Sequence, residues 1–156
     1  KAAEVLRNRL ENVLLGFEGN GLSVEQRDGK VYVSLEAELL FASGSANVDD
    51  KGKAILRKLG DVIATQNDLE IIIEGHTDTD ILSSPSIPRN NWELSVLRAT
   101  SVLDIIMGQP GVDPSVLTAA GRGAFHPVDL EDKSKNRRIE VVLAPRLDDL
   151  FDLLDE

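Results

Sequence analysis

Leu69-Glu70-Ile71-Ile72-Ile73-Glu74 constrains the fold of this chain more than any other stretch. Three successive β-branched residues are stiff at χ1 and pack well on a pleated surface. An unbroken apolar run of this kind predicts a strand buried on both faces. The pattern then changes abruptly. Gly75-His76-Thr77-Asp78-Thr79-Asp80 leads into a Ser- and Pro-containing stretch that reaches Asn90, a loop of about 14 residues from Thr77, and loops that long inside compact domains are often functional. Asn91 to Met107 resumes helical spacing through Val96, Ala99, Val102, Leu103 and Ile106. In open α/β sheets ligands gather outside the carboxyl ends of strands, so the residues just past Glu74 are in a favourable place for a site.

The flanking sequence supplies the other elements. Leu6, Leu10, Val13, Leu14 and Phe17 recur at spacings of three and four, one face of an amphipathic helix that glycines 16, 19 and 21 end. Leu22 to Leu35 reads as a hairpin around Asp28-Gly29, a pair suited to a turn with positive φ, with Val31, Val33 and Leu35 alternating against Tyr32 and Ser34. Asp49 or Asp50 can cap a helix whose stripe is Ile55, Leu59, Val62 and Ile63. Asp113-Pro114 suits the start of one short turn, Leu117 to Ala120 a strand, and Ile139 to Leu143 a final β-branched strand. Leu147, Leu150, Phe151 and Leu154, set among acids, predict a short acidic helix. This order predicts an α/β sandwich, a mixed sheet with helices on one face.

Composition removes several function classes. Without cysteine there is no disulfide, no thiolate-held metal and no catalytic thiol. No apolar run approaches the roughly 18 residues of a membrane span. Seventeen basic residues against 27 acidic ones give a net charge of −10, the wrong sign for a counterion-releasing grip on nucleic acid. There is no phosphate-cradling GxxxxGK, no GxGxxG after a strand and no GxSxG elbow, so nucleotide binding and serine hydrolysis are unsupported. The chain opens on Lys1 without a signal-peptide pattern, which leads us to expect an excised fragment whose targeting or anchoring segment lies elsewhere.

Four places could carry chemistry. His76, Asp78 and Asp80 could ligate a metal, but the only other imidazole, His126, is 50 residues away and no recognised ligand spacing occurs; His76 and Asp78 could also serve a hydrolase as base or ligands. On the helix that begins at Asn91, Asn91 and Arg98 project only about 20° apart, beside the apolar face, so Arg98 should emerge at the rim of the core. Its partner is either an internal acid such as Asp78 or a ligand carboxylate. Asn136-Arg137-Arg138 reverses the local charge before the last strand, and Phe41-Ala-Ser-Gly-Ser-Ala46 is small and polar enough to turn or to approach a ligand closely.

Together, Phe41-Ala-Ser-Gly-Ser-Ala46, Glu74-Gly-His-Thr-Asp78, Asn91-Trp-Glu-Leu-Ser-Val-Leu-Arg-Ala99, Ala120-Gly-Arg-Gly123, Pro127 and Asn136-Arg-Arg138 resemble, in order, the OmpA C-terminal-like domain found in OmpA proteins, Pal lipoproteins and MotB. The Asn-Trp-Glu-Leu-Ser form is most similar to the MotB branch. The resemblance implies noncatalytic, cofactor-free and metal-free binding of the peptide stem of peptidoglycan, usually at diaminopimelate. It places the protein in the periplasm, tethering the cell envelope to the wall, with any membrane contact made by a segment outside this chain. Asp78 would pair with the ligand's ammonium and Arg98 with its carboxylate. Asn91 and Thr77 would add hydrogen bonds, Leu94 and Phe41 apolar walls, and Arg137 positive potential or support. Residues 31–143 would be the wall-binding domain. Residues 1–30 hold the leading helix and first hairpin strand, the end of a stalk, and residues 144–156 the acidic helix. The alternative is a stator-type interaction module whose terminal helices mediate assembly, as in a homodimer.

Overall fold

The structure is a computed structural model that describes residues 2–146. Its elements run α1 (Ala2–Val13), β1 (Leu22–Arg27), β2 (Lys30–Glu36), α2 (Ala37–Leu40), α3 (Asp50–Ile63), β3 (Leu69–His76), α4 (Asn91–Met107), a 3-10 turn (Pro114–Val116), β4 (Leu117–Gly121), α5 (Lys133–Asn136) and β5 (Arg138–Pro145). One five-stranded sheet has the order β1-β2-β5-β3-β4. All its pairings are antiparallel except β3 with β4, which are joined through α4.

Local chemistry accounts for most of these boundaries. Asp28 (φ 53°) and Gly29 (φ 76°) both take the left-handed conformation that a two-residue hairpin with the right strand twist requires. The Asp49 carboxylate accepts from the Gly52 amide 2.8 Å away and caps α3, and Asn90 caps α4 through the Glu93 amide at 2.9 Å. Asp113 caps the 3-10 turn in the same way. The four-residue helices α2 and α5 escaped the sequence reading because they are too short to show a period.

Side chains at alternating positions, Val31, Val33 and Leu35 of β2, Ile71 and Ile73 of β3, and Ile139, Val141 and Leu143 of β5, turn to one face. There they form a single core with Leu6, Leu10 and Leu14 of α1, the stripe of α3, and Ala99, Val102 and Ile106 of α4. The mixed sheet with helices on one face is as expected. A two-sided burial of β3 is not: Ile72 is 37% exposed although β3 lies between two strands, because the helices pack on the opposite face and leave Ile72 on an open side with Tyr32 and Thr118. The expected acidic helix after Pro145 lies outside the described residues.

Two glycines bring α4 down onto the sheet. A Cβ at Gly75 would land on the Ser95 carbonyl, and one at Gly121, its partner across β3 and β4, on Val96. Contact this close between helix and strand fixes the first two turns of α4 beside the carboxyl end of β3, where the polar segment begins.

Candidate functional site

Past that strand end lies a cavity of about 400 Å³, lined by Phe41, Thr77, Asp78, Asn91, Leu94, Arg98 and Arg137 among others. The structure thus brings together all seven residues that sequence reasoning singled out. They come from four places: the end of α2, the exit of β3, one stripe of α4, and the residue before β5. Asn91, Leu94 and Arg98 share that stripe because spacings of three and seven return to the same face of a helix.

Arg98 is 6% exposed, at the rim of the core as its helical position implied. Its Nε donates to the Ser45 carbonyl at 2.8 Å, and its guanidinium carbon sits 4.9 Å from the centre of the Phe41 ring. Among the described residues no acceptor lies within hydrogen-bond distance of Nη1 or Nη2. Burial holds its basicity below the usual arginine value; the Arg137 charge adds to that and Asp78 opposes it. The group stays protonated at any physiological pH. It is a positioned cation whose terminal nitrogens are free to form a fork.

Asp78 does not pair with Arg98, the internal partner considered from sequence. Its Oδ2 accepts from Arg137 Nη1 at 2.6 Å, and its Oδ1 from the Asp80 amide at 2.9 Å. A carboxylate has about four acceptor positions, so two remain. Arg137 therefore holds the Asp78 carboxylate in place; the sequence offered support as one of its roles but did not name this partner. Thr77 spends its groups locally, its hydroxyl on the Asp78 carbonyl (3.0 Å) and its amide on the Gly123 carbonyl (2.9 Å). Asn91 donates to the Asp80 carbonyl at 2.9 Å and fastens the loop beside the cavity. Asp80 also takes the Lys133 ammonium at 2.6 Å, and Arg89 forks onto Glu93 at the far end of the loop.

The triplet Asn136-Arg137-Arg138 resolves into three jobs. Buried Asn136 accepts the Val128 and Asp129 amides and donates to the Asp129 carbonyl, which closes the preceding loop. Arg137 turns to the cavity. Arg138 goes to the open face, where it bonds the His126 carbonyl and Glu140.

His76 faces that open side too, away from Asp78 and Asp80. Its Nε2 lies 3.1 Å from Glu74 and 3.4 Å from Glu140, and the His126 ring, distant in sequence, stands edge-on at 6.0 Å. Glu74, His76 and Glu140 are close enough to share a cation. Each carboxylate is already met by a guanidinium, however, Glu74 by Arg122 at 3.2 Å and Glu140 by Arg138 at 3.1 Å. The cluster neutralises itself, and a divalent ion would face two fixed positive charges. The ligand set His76, Asp78 and Asp80 is not assembled. Glu74, Glu140, Arg122 and Arg138 were missed as a group; the only signal was their alternation on neighbouring strands.

Motility protein B of Bacillus subtilis is 30% identical over 118 residues, 73% of this chain and 45% of its own length. This chain spans about half the length of the curated relatives it matches. A MotB-like protein from Desulfovibrio vulgaris has the same fold, with a TM-score of 0.83 and 30% identity over 93% of this chain and 95% of that one. The cell wall anchor of the T6SS from Pseudomonas aeruginosa gives a TM-score of 0.77 and 28% identity over 90% of this chain and 99% of that one. The OmpA family matches residues 40–140, a span that holds the seven cavity-lining residues named above and well over half the chain, and this chain belongs to that family.

Proposed function

We propose that the protein binds peptidoglycan without catalysis and tethers an envelope component to the wall, gripping the peptide stem at a diaminopimelate residue. The observation that carries this reading is the open guanidinium fork of Arg98 in a cavity that also presents the Asp78 carboxylate. A zwitterionic amino-acid centre needs one fixed cation and one fixed anion, and partial removal of water makes both more selective. Asp78 would take the ligand's ammonium on its remaining acceptor positions and Arg98 its carboxylate, with Leu94 and Phe41 as walls and Asn91, Thr77 and Arg137 holding the frame. The similarity to a protein described as a cell wall anchor supports the tethering role.

On this reading residues 31–143 are the wall-binding unit, flanked by 1–30 and 144–156, and the protein works in the periplasm. A hydrolase reading loses support because His76, its base, faces the other side of the sheet from Asp78. Assembly through the ends has one observation in its favour, the exposure of Val5 on α1 and of Leu15 just beyond it. Mass in solution with and without residues 1–16 tests it.

The binding test is co-sedimentation with purified sacculi. Asp78→Ala and Arg98→Ala should each lose about 2–5 kcal/mol, since each leaves a buried opposite charge unpaired. Free diaminopimelate should compete, as should a stem peptide that contains it, whereas the same peptide with lysine in its place, whose side-chain ammonium has no carboxylate beside it, should compete far less. Unchanged retention of both folded variants overturns the assignment.

A further inference from the structure

Trp92 and Phe125 have no part in the cavity, yet they form an exposed, stacked aromatic pair. Trp92 is 52% exposed and Phe125 69%, and their rings stack with centroids 5.3 Å apart and planes inclined by 28°. The two residues come from distant segments, the first turn of α4 and the connection between β4 and β5, and they are held from below. Ser95 Oγ donates to the Trp92 carbonyl at 2.9 Å and accepts the Gly123 amide at 3.2 Å. The loop passes beneath them at Gly123, whose Cβ position lies 3.4 Å from both rings and whose φ of 61° is the left-handed conformation that favours glycine. Two large apolar rings kept ordered in water are a costly arrangement that marks a recognition surface.

The platform is tied to the cavity through the backbone at two points. Asn91, which borders the cavity, immediately precedes Trp92, and the Gly123 carbonyl accepts the amide of Thr77, which also lines the cavity. We infer that Trp92 and Phe125 form a saccharide subsite for the glycan strand of the same polymer whose peptide stem enters the cavity. A pyranose with equatorial hydroxyls has a face of axial C–H groups that rests on an aromatic ring, while its rim of hydroxyls and acetamido groups needs polar neighbours. Exposed Arg89 and Asn90 precede Trp92 closely in the chain and exposed His126 follows Phe125, so polar groups are available nearby. This inference rests on the peptidoglycan reading for its geometry: in such a polymer the third stem residue is separated from its sugar by two others, an extended reach of about 10 Å at 3.3–3.6 Å per residue. That suits two subsites in adjoining positions.

Trp92 is the only tryptophan, so its emission reports on this surface alone. Titration with tetra-N-acetylchitotetraose, which has no peptide, should change that emission saturably in the wild type and equally in Arg98→Ala. Phe125→Ala should weaken the response about tenfold, the loss of one stacked ring, and leave competition by diaminopimelate unaltered. Trp92→Ala, followed by sedimentation with sacculi, should lose affinity to a similar extent. Phe125 is exposed, so its variant keeps the fold, and a thermal melt checks this. No saturable response to chitotetraose, or undiminished sedimentation of both aromatic variants, overturns the saccharide subsite. If Arg98→Ala sediments normally while Phe125→Ala does not, the stem reading fails and the saccharide subsite stands.

Discussion

Two arginines that look alike in sequence differ in what they leave unpaired. Arg98 is buried with open terminal nitrogens, whereas Arg137 is engaged by Asp78 at 2.6 Å and, more loosely, by exposed Glu38 at 3.7 Å. Removing Arg137 leaves the Asp78 carboxylate buried with only an amide for company, so Arg137→Ala should destabilise the fold by about 1–3 kcal/mol. Glu38→Ala should fall within about 0.5 kcal/mol of the wild type, since exposed pairs contribute little. Urea unfolding of both variants checks the contrast. Equal, negligible effects would mean that Asp78 does not depend on Arg137. Sequence alone marked both arginines as informative, because they interrupt an acidic chain. It could not say which was already occupied, since their partners lie 53 and 59 residues away.

Among the elements, α4 does the positioning. Its amino end is capped by Asn90, and the Glu93 carboxylate accepts the Arg89 amide at 2.8 Å, so the turn bearing Asn91 and Leu94 is locked at its start. Asn90→Ala should cost about 1 kcal/mol of stability, read from the denaturation midpoint. It should also weaken sacculus binding, because fraying begins beside the cavity. A stability loss with no change in binding would show that the first turn plays no part in the site. The helix and the stripe that carries Arg98 were legible because both depend on residues within a few positions of one another; the cap at Asn90 is local too but went unread. The depth at which α4 seats was not, since it depends on Gly75 and Gly121 meeting Ser95 and Val96 from another element.

At the scale of the whole molecule, the two faces of the sheet divide the work. One buries the core and ends in the cavity; the other carries the paired charges of Glu74, His76, Arg122, Arg138 and Glu140. Glu74 is held below its ordinary value of 4.5, mainly by the hydrogen bond from His76, with Arg122 assisting and burial opposing. A carboxyl more acidic in the folded than in the unfolded chain contributes stability that is full above the unfolded value and is lost as pH falls through the folded one. Wild-type stability should therefore drop on acidification below about 4.5, and Glu74→Gln should flatten that drop. Urea midpoints measured down the acid limb check it; parallel curves for the two proteins would remove Glu74 from the account.

What the sequence determined by itself was the part set by near neighbours. The hairpin at Asp28-Gly29, a cap at Asp49 or Asp50 and one at Asp113, and the helical stripes follow from spacing, and seven of the residues around the cavity from the motifs shared with the OmpA family. Tertiary structure alone decided which charges meet. It gave Asp78 to Arg137 and left Arg98 open, sent His76 to the opposite face from Asp78, exposed Ile72 on an interior strand, and joined Trp92 to Phe125. The physical reason is that strand alternation and helix phase choose a face for each side chain, while its partner on that face is chosen by strand order and helix seating, which are properties of the whole chain.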